Sequence, residues 1–225
     1  MLSSRLNLAA ISAALEHART ELPRADASFR TTRDPLDQDV IDNLVAGYSF
    51  VETLIANSVD IFSPGQSQQL LELNYLVLCG TDARRRAQFQ SHLAATESRF
   101  YSERDAGMGD LVKWWRTHAS GSAWERAAGI YLYAFTQPQL FIEGNHRTGA
   151  LLMSYLLMRD SHPPFVLTTE NAGEFFACSA QARDLRKAGL RSIVRLAPLR
   201  KRFANVIENA ADRRYLHDQL PVDNA

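Results

Sequence analysis

The chain has 225 residues, 46% of them apolar and 22% charged, enough to bury a full core and far from the low-hydrophobicity composition of disordered chains. Its 25 basic residues balance 25 acidic ones, so the positive footprint of a duplex nucleic-acid binder is missing. Only Lys113, Lys187 and Lys201 are lysines, and the rest of the basic set is arginine.

Apolar residues recur at helical spacing almost throughout, which predicts an all-α protein. A first helix runs from a cap at Ser4 to about Glu21, with Pro23 as its stop. Asp34-Pro35 pairs a capping residue with the residue favoured at the first helical position. From there Ile41, Leu44, Val45, Tyr48, Val51 and Ile55 form one apolar stripe. Ser63-Pro64-Gly65 resets the chain before a helix over 66–79, with Gly80 as its left-handed stop.

The stretch from Thr81 to Arg104 fits no single period and reads as mostly irregular. Helices then follow over 109–118, 123–136 and 145–158, over 170–185 behind a Thr169 cap, and from Leu190 to about Leu216 in one or two pieces. The simplest division is an N-terminal helical extension over 1–60, packed on a helical domain over 61–225. No apolar run reaches the roughly 18 residues of a membrane span, and Ser3, Ser4, Arg5 and Asn7 interrupt any signal-peptide core. The expectation is a cytoplasmic chain, with export as an effector left open. Cys79 and Cys178 fall in helical runs and are expected as two buried thiols.

The chemically informative stretch is Gln137-Pro-Gln-Leu-Phe-Ile-Glu-Gly-Asn-His-Arg-Thr-Gly149, between two helices apolar enough to be buried. Its second half opens a helix, so unpaired backbone N–H groups and the positive end of the helix dipole point outward, the arrangement that binds anions. Gly144 lets the backbone approach a phosphate, Arg147 adds a bidentate donor, and Glu143 can hold a divalent cation that bridges phosphate oxygens. Gly144, Asn145, His146 and Arg147 are therefore the candidate nucleotide-phosphate residues. The expected ligand is a nucleotide polyphosphate with Mg2+. An ordinary helix–helix connection, with Asn145 as a plain N-cap, would use the same residues.

In these residues the chain resembles the Fic (Fido) domains, whose signature is His-x-Phe-x-(Asp/Glu)-Gly-Asn-(Gly/Lys)-Arg-x-x-Arg. Phe141, Glu143, Gly144, Asn145 and Arg147 match at the right spacing, and looser likeness extends over about Gln66 to Ala177, including Leu71-Glu-Leu-Asn74 and the exit at Pro163-Pro164-Phe165. The resemblance implies a helical bundle with a small irregular or β-hairpin flap. It implies transfer of AMP from ATP, or of a phosphate-bearing group from another nucleotide, to a protein hydroxyl with Mg2+. It also implies a flap, here Thr81–Arg104, that positions the target by adding an edge strand.

Three departures qualify the resemblance. Gln139 stands where the family has its catalytic histidine, and a neutral amide cannot act as the general base. His146 replaces a small or basic residue: an indifferent solvent-facing side chain, a ligand contact and a relocated base are all open. Ala150 replaces a second arginine that grips phosphate or is captured by an inhibitory glutamate. A degenerate version of that inhibitory helix is Tyr48-Ser-Phe-Val-Glu52-Thr53, with Glu52 as the regulatory candidate and Arg147 or His146 as its partner.

The six histidines show no zinc-ligand spacing, and no serine elbow or Walker loop is present. Arg84-Arg85-Arg86 reads as a solvated turn. Three functions stay open: a nucleotide-binding Fic fold with impaired or altered transfer, an active AMP transferase with a non-standard base, and a non-catalytic module for a protein target or antitoxin-like partner.

Overall fold

The computed structural model describes residues 5–25, 36–102, 107–118, 120–187 and 190–217. Among them are ten α-helices and no strand: α1 (Leu8–Ala25), α2 (Gln38–Ala56), α3 (Ser67–Cys79), α4 (Ala83–Gln88), α5 (Gln90–Phe100), α6 (Met108–Thr117), α7 (Ala123–Phe135), α8 (Asn145–Arg159), α9 (Thr169–Arg183) and α10 (Leu190–Asn209). A 3-10 turn, Arg213–Tyr215, follows. The all-α expectation holds.

The centre of the bundle is α8, whose residues 151–158 are all buried. Helix α7 lies along one side of it and α2 and α3 along others, while α10 covers α7. Close approach of α2 to α8 depends on Gly47, where a Cβ would fall 2.3 Å from Leu151 Cδ1. Gly149 does the same on the α7 side, its missing Cβ making room for the Tyr131 ring at 2.6 Å. Leu6, Ile11, Leu15, Ile41, Tyr48 and Val51 belong to the same apolar cluster as the α7 and α8 residues. The N-terminal helices, expected as an extension, thus share the main core.

Several boundaries move. The Ser4 cap and the Asp34-Pro35 start lie outside the described residues, and the described part of α2 is capped by Asp37, whose carboxylate accepts the Val40 N–H at 2.9 Å. Helix α1 passes through Pro23 to Ala25: in a last turn, proline forfeits a single backbone bond while its fixed φ remains helical. The cap of α9 is Thr168 rather than Thr169, with its N–H donated to Asn171 Oδ1 at 2.9 Å. Cys79 and Cys178 are both buried free thiols. No helix among the described residues is long and apolar enough to cross a membrane.

The larger correction concerns the flap. The segment expected to be irregular, or a β-hairpin, is helical in α4 and α5. Asp82 caps α4 by accepting the Arg84 N–H at 2.8 Å. The neighbouring arginines are ion-paired, Arg86 bidentate to Glu72 at 2.7 and 3.1 Å and Arg85 to Asp39 at 2.8 Å. In α5, Leu93, Thr96 and Phe100 are buried at helical spacing. The flap's backbone groups are therefore used within its helices, and its described residues offer no open strand edge for a target to extend.

Candidate functional site

The loop 136–144 joins α7 to α8. It is anchored by Leu140 and Phe141, both buried, with the Leu140 N–H donated to the Ala134 carbonyl at 2.9 Å. The Gln137-Pro138 peptide is cis. At the start of α8, Asn145 turns its side chain back onto the loop instead of capping the helix. Its Oδ1 accepts the Phe141 N–H at 3.0 Å, and its Nδ2 donates to the Phe141 carbonyl at 2.8 Å and to Gln139 Oε1 at 3.1 Å. Gln139, at the position where the family resemblance puts a base, is thus held as an acceptor inside the loop.

Gly144 is the N-cap of α8, with φ +74°. A Cβ there would meet Asn74 Nδ2 at 3.0 Å and Val77 Cγ1 at 3.2 Å, so both the left-handed backbone and the contact with α3 require glycine. Asn74 is fully buried, and its Nδ2 donates to the Glu143 carbonyl at 3.0 Å and to Thr148 Oγ1 at 2.9 Å. It fixes the turn from behind. Thr148 is the first residue of α8 whose N–H reaches an intrahelical acceptor, the Gly144 carbonyl at 2.9 Å. The amides of Asn145, His146 and Arg147 therefore precede the helix ladder and carry the positive end of its dipole.

The four expected phosphate residues do not all face one way. Arg147 Nη1 donates to the Val77 carbonyl at 3.3 Å, which also accepts Asn43 Nδ2 at 3.3 Å. The guanidinium is thereby held against the C-terminal end of α3, where carbonyl dipoles favour a cation. His146 turns inward. Its Nδ1 lies 2.7 Å from Tyr131 Oη, which lies 2.7 Å from Ser179 Oγ, and Ser179 donates to the Phe175 carbonyl at 2.8 Å. With the serine proton committed to that carbonyl, Tyr131 donates to Ser179 and accepts from His146. This assigns the Nδ1–H tautomer to the neutral ring. The imidazole packs on Phe135 at 4.0 Å between centroids and meets Phe176 edge-on at 5.7 Å. These ring neighbours are core aromatics, so the expectation of an indifferent solvent-facing side chain does not hold.

Glu143 projects outward, 53% exposed, and faces His92 of α5, with Oε2 and Nε2 3.6 Å apart. That is beyond hydrogen-bond reach, and the buried His92 Nε2 has no hydrogen-bond partner. Helix α5 runs along the loop. Arg99 donates to the Gln139 carbonyl, and Phe100 stacks on Phe141 at 5.4 Å. From beyond α9, Lys187 Nζ donates to the Pro138 carbonyl at 2.7 Å and lies 4.4 Å from the centre of the Tyr133 ring. Burial, then the Arg99 charge, push the Lys187 amine down to about 7, although Asp110 pulls the other way. Among the described residues no three His, Cys, Asp or Glu side chains converge on a metal position.

Residues 64–157 match the model of the Fic/DOC family. They form a Fic/DOC domain. Its matched span runs from the turn before α3 almost to the end of α8 and contains the whole loop. Comparison with curated proteins gives no match.

Two expected site residues lie apart from the centre of the Fic/DOC loop. Ala150 offers a methyl group where the resemblance has a cation, and its carbonyl accepts Ser154 Oγ at 2.9 Å. Glu52 Oε1 accepts the Leu6 N–H at 2.7 Å. It sits nine residues beyond Asn43, the α2 residue that reaches the Val77 carbonyl, or roughly 13–14 Å further along the helix axis. A cleft of about 440 Å3 between α9 and α10, with Arg195 and Arg202 on its wall, includes none of residues 139–147.

The sequence reading missed Asn74 as a site residue, along with His92, Arg99, Tyr131 and Lys187. Asn74 was visible as a polar residue inside an apolar helix. The 93, 96, 100 spacing would have placed His92 and Arg99 on a helix.

Proposed function

We propose that this Fic/DOC domain binds the phosphates of a nucleotide, ATP or another, at the 144–147 turn, with a divalent cation at Glu143, and that AMP transfer to protein hydroxyls is impaired. The observation that carries this reading is the Gln139 side chain, bonded by Asn145 at 3.1 Å in the place that the resemblance gives to the base. An amide has no basic lone pair at neutral pH, and removing a general base forfeits about 10²–10⁴-fold in rate. The phosphate half rests on the position of residues 145–147 in the first turn of α8, at the positive end of its dipole, and on the left-handed Gly144. A protein target or antitoxin-like partner would then be regulated by binding rather than by modification.

The donor set suits the cation. Glu143 is an exposed carboxylate with a buried, unpartnered imidazole nitrogen beside it. When bound, a divalent ion would neutralise phosphate charge at this corner.

Calorimetry with ATP and Mg2+ tests the proposal. Saturable binding, weakened tenfold or more by Arg147→Ala, is expected. Undetectable binding at millimolar ATP would overturn it and leave the interaction module.

A second reading, transfer with a substitute base, is favoured by Lys187, whose amine at about 7 is partly neutral near physiological pH and is bonded to the residue before Gln139. Labelled ATP incubated with a lysate and this protein would produce a labelled band that Lys187→Met removes. His146→Ala tests the other candidate base in the same assay.

A further inference from the structure

From the pairing of His92 with Glu143 across the flap and the loop, we propose that the imidazole is a second protein ligand for a divalent cation, making this corner a site for first-row transition ions in preference to Mg2+. The inference rests on the proposed role of Glu143 as the cation's carboxylate, and adds the identity of the metal and the residue that selects it.

His92 is carried by α5 and Glu143 by the loop before α8. Both are held by packing. Leu93 and Phe100 bury the inner face of α5, and the Phe100–Phe141 stack and the Arg99 bond to the Gln139 carbonyl tie that helix to the loop on its other end. The Glu143 backbone is in turn held by Asn74. Two donors from different elements are thus brought to a 3.6 Å separation that neither side chain sets alone.

That separation is short of contact and long for a hydrogen bond, but it suits a shared ion. Two ligands each about 2.1 Å from a tetrahedral zinc-type ion stand about 3.4 Å apart, whereas neighbouring ligands on an octahedral Mg2+ at the same bond length stand about 3.0 Å apart. The donor type points the same way. Mg2+ takes oxygen ligands, while a nitrogen donor raises affinity along the series towards Co2+, Ni2+, Cu2+ and Zn2+. A buried imidazole nitrogen without a hydrogen bond is expensive in a folded protein, and coordination would give it a partner. Glu143 is 53% exposed while His92 Nε2 is buried beside it, so an ion arrives at the carboxylate and meets the imidazole by entering between the two, and the remaining positions stay open to water or phosphate oxygen. Of the other polar groups at this corner, Asn74 Nδ2 is committed to the turn and to Thr148 and Arg99 to the Gln139 carbonyl, while the buried Asn74 Oδ1 has no hydrogen-bond partner.

The test is titration of the full chain, freed of any affinity tag and without nucleotide, with Co2+ followed by visible absorption and with Zn2+ followed by calorimetry. Saturable one-site binding is expected, with visible bands of a low-symmetry N,O environment. His92→Ala and Glu143→Gln should each weaken it tenfold or more, and Mg2+ should compete poorly. His92→Gln, closer in size and polarity, guards against loss of the flap, with circular dichroism confirming the helical content of every variant. Absence of saturable Co2+ or Zn2+ binding, or binding that survives both His92 substitutions, overturns the proposal. Because no nucleotide is present, ATP binding that persists while the metal titration fails would leave the phosphate site standing and sink only the role of His92.

Discussion

Asn145 Nδ2 stands 3.1 Å from Gln139 Oε1, so the first residue of α8 holds the residue that occupies the base position. The same side chain also bonds both backbone groups of Phe141. The two Asn145–Phe141 bonds hold the loop without the side chain at 139, so a neutral imidazole placed there keeps its single lone pair for the attacking hydroxyl. Gln139→His is expected to keep the loop and to raise transfer of labelled AMP by about 10²–10⁴-fold, the usual worth of a general base. Gel autoradiography against the wild type measures it. A flat result for Gln139→His, with a gain only in Gln139→His combined with Ala150→Arg, would assign the deficit to phosphate grip.

Tyr131 links His146 to Ser179 in the core. Removing its hydroxyl takes away the oxygen that accepts the His146 Nδ1–H, at a cost of about 1–3 kcal/mol. Urea unfolding of Tyr131→Phe should show that loss with an unchanged m value. His146→Phe combined with Tyr131→Phe should be non-additive, since the two side chains bond each other and the double variant carries neither group.

Glu52 pins the start of the described N-terminal segment through the Leu6 N–H. Glu52→Ala is expected to cost about 1–2 kcal/mol in denaturant unfolding, from one part-buried donor left unpaired, and to change ATP affinity by less than twofold. A severalfold tightening of ATP binding would instead make Glu52 inhibitory.

The Lys187 amine is pushed down to about 7 from 10.5, mainly by burial. Between these values the unfolded chain holds a proton that the folded chain lacks, so stability rises with pH in that window and the penalty is fully present below about 7. The stability of the wild type relative to Lys187→Met should therefore increase on going from pH 7 to pH 10. Parallel denaturation curves at both values check the sign. An unchanged difference would mean that the Pro138 carbonyl and the Tyr133 ring hold the charged form against burial.

The sequence by itself determined the helical class, most of the core faces, the turn at Gly144 and the family resemblance, because each depends on residues close in the chain: apolar spacing, a left-handed glycine, a contiguous motif. It did not determine the helices of the flap, where Asp82 and the arginines 84–86 blurred a short apolar period that only packing against the loop completes. Nor could it orient the site. His146 and Arg147 are neighbours in the chain, yet one is drawn into an aromatic core by Tyr131 and the other onto a carbonyl of α3. The meeting of His92 with Glu143 spans 51 positions and depends on how two packed elements lie side by side. Such directions are set by which partners the bundle brings within bonding distance, a property of tertiary packing that no local pattern encodes.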